Sequence, residues 1–102
     1  MKYCVVFAPE ANDQLLTLYR YIACEASSDI AKRYTDAIVD FCDSLCVYPL
    51  RGVARDDVRV GLRITHFKKR TIIAYDVEGT QVSILGIFYG GQDYESLLQD
   101  EP

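Results

Sequence analysis

Tryptophan is absent from this sequence and histidine occurs once, as His66, so tyrosine, with 8 residues, supplies most of the aromatic surface. A single imidazole leaves a metal site short of its usual nitrogen ligands. Long apolar runs are also missing. The stretch Cys4 to Ala8 is only a few residues long, whereas a helix crossing a bilayer needs about 20 apolar residues. The first ten residues carry one basic side chain and an apolar run too short for a secretory signal, so the chain is expected to stay in the cytoplasm. There is no P-loop, no Rossmann glycine pattern, no His-Glu-x-x-His and no nucleophile elbow. No cofactor or metal is therefore expected. Basic side chains are lacking altogether after Arg70.

What remains is 102 residues, half of them hydrophobic and a quarter charged, with a net charge of −4. That length and content suit a single domain spanning 1–102. Cys4, Cys24, Cys42 and Cys46 show no turn-rich framework of the disulfide-stapled kind. They read as reduced thiols packing as small hydrophobes.

Residues 2–7 are apolar and partly β-branched and lead into Ala8-Pro9-Glu10, which predicts a buried strand followed by a helix with Pro9 in its first turn. Ala11, Leu15, Leu18, Tyr19 and Ile22 carry the helical spacing to about Glu25. Tyr19, Tyr21 and Tyr34 are expected in the core or at its edge. Ser27-Ser28-Asp29 offers a cap for a second helix, whose stripe of Ile30, Tyr34, Ala37, Ile38, Phe41 and Leu45 runs until Pro49. So short a connection makes the two an antiparallel hairpin. Pro49 to Gly61 reads as a loop. Leu62–Phe67, Arg70–Val77 and Gln81–Tyr89 then read as strands of an antiparallel meander, ended by Gly90-Gly91. A helical turn over Tyr94, Leu97 and Leu98 follows, and the acidic tail from about 96 to 102 is expected to fray. The fold class is α+β, order β-α-α-β-β-β: a small, mainly antiparallel sheet covered by a helical hairpin, the first strand joining an edge of the meander.

Charge is unevenly spread. Residues 51–70 hold 7 basic and 2 acidic side chains, against 0 and 6 in residues 71–102. Arg51, Arg55, Arg59, Arg63, Lys68, Lys69 and Arg70 can gather on one surface, either as a solvated face or as a docking surface for an acidic partner. The overall acidity weighs against sequence-specific nucleic-acid binding and for a protein partner. Tyr89 and Tyr94, flanking the glycine turn, are candidate anchors, with core packing an equal alternative for Tyr89.

The succession Val-Val-Phe-Ala-Pro-Glu-Ala (5–11), Tyr-Ile-Ala (21–23), Arg-Tyr (33–34), Pro49 and Gly52, Gly61-Leu62-Arg63, Ile-Ile-Ala-Tyr (72–75) and Val-Ser-Ile-Leu-Gly-Ile-Phe-Tyr-Gly-Gly-Gln-Asp-Tyr-Glu (82–95) resembles the ParE branch of the RelE/ParE toxin superfamily. Many relatives carry His-Gly-Gly-Arg-Asp before the tail. Here Phe88-Tyr89-Gly90-Gly91-Gln92-Asp93 lacks both the His and the Arg. The resemblance implies the toxin of a type II toxin–antitoxin pair, inhibiting growth by binding DNA gyrase or another topoisomerase without a catalytic site of its own. It also implies neutralisation by a ParD-like antitoxin. On this reading Arg55, Arg59, Arg63, Lys69, Arg70, Tyr89, Asp93 and Tyr94 are the antitoxin- or target-binding candidates.

Two alternatives stand beside it: a RelE-like, ribosome-dependent mRNA endoribonuclease using Arg63, Lys69 and Tyr94, and a non-toxic binding protein of the same fold. Strand alternation places His66 opposite Arg63, which disfavours an Arg–His catalytic pair in that strand.

Overall fold

The computed structural model describes residues 3–98. The expectations placed on residue 2 and on 99–102, most of the acidic tail included, lie outside these. Strand β1 (Cys4–Phe7) leads into helix α1 (Pro9–Glu25), helix α2 (Ser28–Asp43) and a 3-10 turn (Ser44–Cys46). Strands β2 (Val53–Ala54), β3 (Arg63–Phe67), β4 (Thr71–Glu78) and β5 (Gln81–Tyr89) follow, then the short helix α3 (Tyr94–Leu98). The sheet order is β1-β5-β4-β3-β2, with β1 parallel to β5 and the other pairs antiparallel.

Both long helices begin where local chemistry starts them. Pro9 occupies the first turn of α1, where its missing N–H is no loss. Ser27 caps α2, its Oγ accepting the Ile30 N–H at 3.2 Å. Only Ala26 and Ser27 separate the two, so they fold back on each other. Helix α2 stops at Asp43 rather than reaching Pro49, because the Ser44 hydroxyl donates to the Phe41 carbonyl and the chain tightens into the 3-10 turn. Leu45 stays buried there, whereas Ile30 and Tyr21, expected on the apolar side, are exposed.

Strand β1 is half-covered rather than buried. It lies at the sheet edge, with Val5 and Phe7 against the helices and Cys4 and Val6 exposed on the other face. A second departure is β2, two residues inside the segment that reads as a loop; Val53 and Ala54 pair with Ile64 and Arg63.

The helices cover one sheet face around Leu18, Ile38, Ile73, Tyr75, Ile84 and Ile87. On the other face a smaller cluster joins Val58, Leu62, Ile64, Ala74, Phe88 and Tyr94 under the 55–62 loop and α3. Between Ala74 and Tyr75 the register shifts, so that Tyr75 pairs with Ile84 and Ala74 with Gly86, leaving Leu85 as the extra residue of a bulge. This bulge turns Ile87 back toward the helices. No described helix is long and apolar enough to cross a membrane.

The four thiols divide rather than all packing inside: Cys42 is buried, Cys46 is half-buried, and Cys4 and Cys24 are exposed. Burial, with Asp43 beside it, pushes the Cys42 thiol up to about 12. Iodoacetamide at pH 8 is therefore expected to label Cys4 and Cys24 in the folded chain and to reach Cys42 only after denaturation, as peptide mapping would read directly.

Candidate functional site

Helix α1 runs alongside the second half of β5. The Ala8 N–H donates to the Ile84 carbonyl, the Gln14 side chain accepts from Ile87, and the Tyr21 ring meets Tyr89 at 6.1 Å. Between them lies a cleft of about 470 Å³ whose walls include Asp13, Gln14, Thr17, Leu18 and Tyr21 from α1, and Ile87, Tyr89, Gly90 and Gln92. Arg70 completes the rim because the β3–β4 turn folds against the end of β5, where the Gly90 N–H donates to the Arg70 carbonyl at 2.9 Å. Gly90 and Gly91 turn the chain away with φ of 71° and 88°, a backbone that side-chain-bearing residues rarely adopt.

Aromatic rings converge at this end of the sheet. Tyr34 packs edge-on against Phe67 at 5.6 Å and Tyr89 at 6.1 Å, and its hydroxyl shares a 2.7 Å hydrogen bond with Thr71. Two cations border the cluster: the Arg70 guanidinium lies 5.5 Å from the centre of the Tyr89 ring, and the Lys68 ammonium 5.5 Å from Phe67. Tyr89 is half-buried: its ring packs against the helix-side core, and part of it stays accessible at the cleft.

The other basic side chains are elsewhere. Arg63 faces the loop after the 3-10 turn and donates through Nη1 to the carbonyls of Gly52, at 2.7 Å, and Leu50, at 3.2 Å. Arg51 lies over the rings of Phe41 and Tyr48. Across the sheet, Arg55 grips Asp57 with two 3.0 Å bonds and also reaches the Tyr94 hydroxyl and the Glu95 carboxylate. This clamp holds α3 over the second cluster, and it keeps Asp57 below the usual carboxylate range. Burial raises Tyr94. Asp93 caps α3, accepting from the Ser96 N–H and hydroxyl, which lowers its carboxyl.

Lys69 is exposed at the hairpin tip, and His66, two residues beyond Ile64, is exposed as well. The basic residues of 51–70 therefore do not form one surface. The structure brings Arg70 and Tyr89 together and adds Asp13, Gln14 and Gln92, on which the sequence placed no expectation, and Tyr21, which was expected in the core or at its edge rather than at a site. The four-residue spacing of Asp13, Thr17 and Tyr21 on α1 was the available signal.

Asp76 is different in kind: burial and the neighbouring Glu78 raise its carboxyl above 3.8, against an opposing pull from Arg59. An aspartate raised on folding opposes folding when ionised, and this penalty fades as pH falls through its folded value. Asp76→Asn is expected to stabilise the chain at pH 7 and to lose that advantage below about pH 4, as urea midpoints at the two pH values would show.

Among the described residues no three His, Cys, Asp or Glu side chains come together to hold a metal. No curated protein matches the sequence significantly. Several solved structures share the fold, among them two from toxin–antitoxin systems. One, from the chromosomal ParDE toxin–antitoxin system of P. aeruginosa, superposes with a TM-score of 0.76 at 18% identity, covering 86% of this chain and 96% of that one. The other, from the toxin–antitoxin complex RelBE2 of Mycobacterium tuberculosis, gives a TM-score of 0.63 at 22% identity, covering 87% of this chain and 99% of that one. The family model describing the ParE toxin of the type II toxin–antitoxin system parDE matches residues 5–94. A match running from β1 into α3 takes in both layers of the fold and both walls of the cleft, and on it this chain belongs to the ParE toxin family of type II toxin–antitoxin systems.

Proposed function

We propose that this chain, folding as one domain in the cytoplasm, arrests growth by binding DNA gyrase or a related topoisomerase and is neutralised by a ParD-like antitoxin. The observation that carries the reading is the separation of the basic and tyrosyl side chains that RNA cleavage would need on a single phosphate. Transfer to a 2′-hydroxyl calls for a base, an acid and cations converging on one group. Arg63 is tied to a loop, Lys69 stands exposed at a hairpin tip, and Tyr94 lies under Arg55 across the sheet. Three residues so dispersed favour contact with a protein over catalysis.

Within this reading Arg70 and Tyr89, with Lys69 beside them, meet the partner. Arginine and tyrosine are the side chains that most often dominate an interface. Arg55, Arg63, Asp93 and Tyr94 order the surfaces around them, and Arg59 sits in the field of Asp76.

The test is purified chain added to gyrase with relaxed plasmid and, separately, to translating ribosomes with a defined mRNA. Supercoiling is expected to stop with the mRNA intact, and Arg70→Glu is expected to raise the concentration needed by roughly tenfold. Cleaved mRNA with normal supercoiling would overturn the proposal in favour of a ribonuclease.

A further inference from the structure

The second half of β5 has a strand neighbour on one side only. Strand β1 pairs with Gln81 to Ile84 and ends at Phe7, so beyond Ile84 the β5 edge faces α1 across the cleft. Along that edge the backbone N–H groups of Ile87 and Tyr89 are each met by a side-chain carboxamide. Gln14 Oε1 accepts from Ile87 at 2.8 Å, and Gln92 Oε1 accepts from Tyr89 at 3.0 Å. Two residues apart on one strand, these are the donors that a paired strand would engage through its own carbonyls. Both acceptors belong to side chains that can rotate away at the cost of one neutral hydrogen bond, about 1 kcal/mol each.

The space beside them suits a short extended segment. From Asp13 to Tyr21 the α1 wall is about 12 Å long at ~1.5 Å per residue, which matches three to four extended residues at ~3.4 Å each. Its apolar floor is Leu18 and Ile87, and the Tyr21 and Tyr89 rings flank it. Charge sets a preference as well. Arg70 is exposed at the rim, held against Tyr89, and forms no ion pair among the described residues. Asp13 on the α1 wall likewise has none, so a carboxylate is favoured beside Arg70 and disfavoured beside Asp13.

We propose that this cleft is a slot for an extended, acidic peptide segment of a protein partner, which takes the Ile87 and Tyr89 N–H groups over from Gln14 and Gln92 and sets a carboxylate against Arg70. The inference rests on the antitoxin reading, the neutralising partner being the source of such a segment.

The experiment is an NMR titration of the full chain with a capped hexapeptide of alternating valine and glutamate. The amide signals of Ile87 and Tyr89 are expected to shift and their hydrogen exchange to slow. Arg70→Glu should weaken binding by roughly tenfold, and the same peptide with N-methylated backbone should not bind. Gln14→Ala with Gln92→Ala should bind more tightly, since the competing acceptors are gone, an effect that a merely structural role for the glutamines would not produce. If that double variant fails to fold, the Arg70→Glu and N-methyl arms decide alone. Shifts confined to the helical hairpin, no shift at all, or shifts at Ile87 and Tyr89 caused by oligouridylate and not by the peptide would each overturn the slot. Growth arrest on expression reads the toxin assignment separately: peptide binding without arrest would sink that assignment and keep the slot.

Discussion

Tyr75→Ala is expected to lower the unfolding free energy by about 3–5 kcal/mol, the range for truncating a large buried ring. Tyr75 is 0% exposed, lies in the helix-side core and pairs in register with Arg63 of β3 and Ile84 of β5. Its hydroxyl has a separate task, accepting the Gly52 N–H at 2.8 Å where the loop enters β2. Only glycine fits at that point. A Cβ on residue 52 would stand 2.4 Å from the Ile64 carbonyl oxygen and 2.8 Å from the Tyr75 hydroxyl. Tyr75→Phe keeps the ring and leaves the Gly52 N–H without this acceptor, for an expected loss of about 1–2 kcal/mol. Urea melts separate the two contributions, with midpoints falling in the order wild type, Phe, Ala at a constant slope. Equal midpoints for Phe and Ala would mean that the hydroxyl, and not the packed ring, anchors this part of the sheet.

The second large effect is expected at Arg63→Glu, and it bears on how binding experiments are designed. The Arg63 guanidinium holds the carbonyls of Leu50 and Gly52, so reversal of charge both removes two donors and sets a carboxylate against two carbonyl oxygens. Hydrogen bonds from a charged group contribute more than neutral ones, and the loss is expected at roughly 2–4 kcal/mol. Against a total stability of about 5–15 kcal/mol for a domain, such a variant can lose a partner by loosening the 50–54 segment. Arg70→Glu is the cleaner probe. An exposed side chain held by a ring contact should alter stability by only about 0.5 kcal/mol, so its loss of binding reports contact. Thermal melts of both variants beside their binding curves check this: a destabilised Arg70→Glu or an unchanged Arg63→Glu would contradict the assignment of roles.

The helices were legible because strong local signals coincide at their starts: Pro9 with Glu10, and Ser27 before an apolar stripe of helical period. Strand β5 was legible to the residue, Gln81–Tyr89, since turns bound a strongly apolar run on both sides. Strand β2 was not, because two residues cannot display an alternation and Val53–Ala54 is defined by its pairing with β3. The edge position of β1 was legible from the order of elements, but its half exposure was not, because an apolar run does not show that one face of the strand stays uncovered.

The arginines illustrate the harder limit. Closeness along residues 51–70 became distance in space, because that segment passes from the helix-side loop at Arg51, over the outer face at Arg55, into β3 at Arg63 and out to the hairpin tip at Arg70. Conversely, Asp13 and Gln14 are far from Arg70 in sequence and share one cleft with it. Side-chain period places a residue on a face, but only the direction of α1 along β5 shows which residue it meets.

The central claim is that a ParE-family chain acts on DNA topology through protein contact, and controlled expression in bacteria tests it most directly when a DNA-damage reporter and full-length mRNA are scored in the same culture. The account predicts growth arrest with the reporter induced and the mRNA intact. Cleaved mRNA with a silent reporter, or unimpeded growth with neither signal, would contradict it.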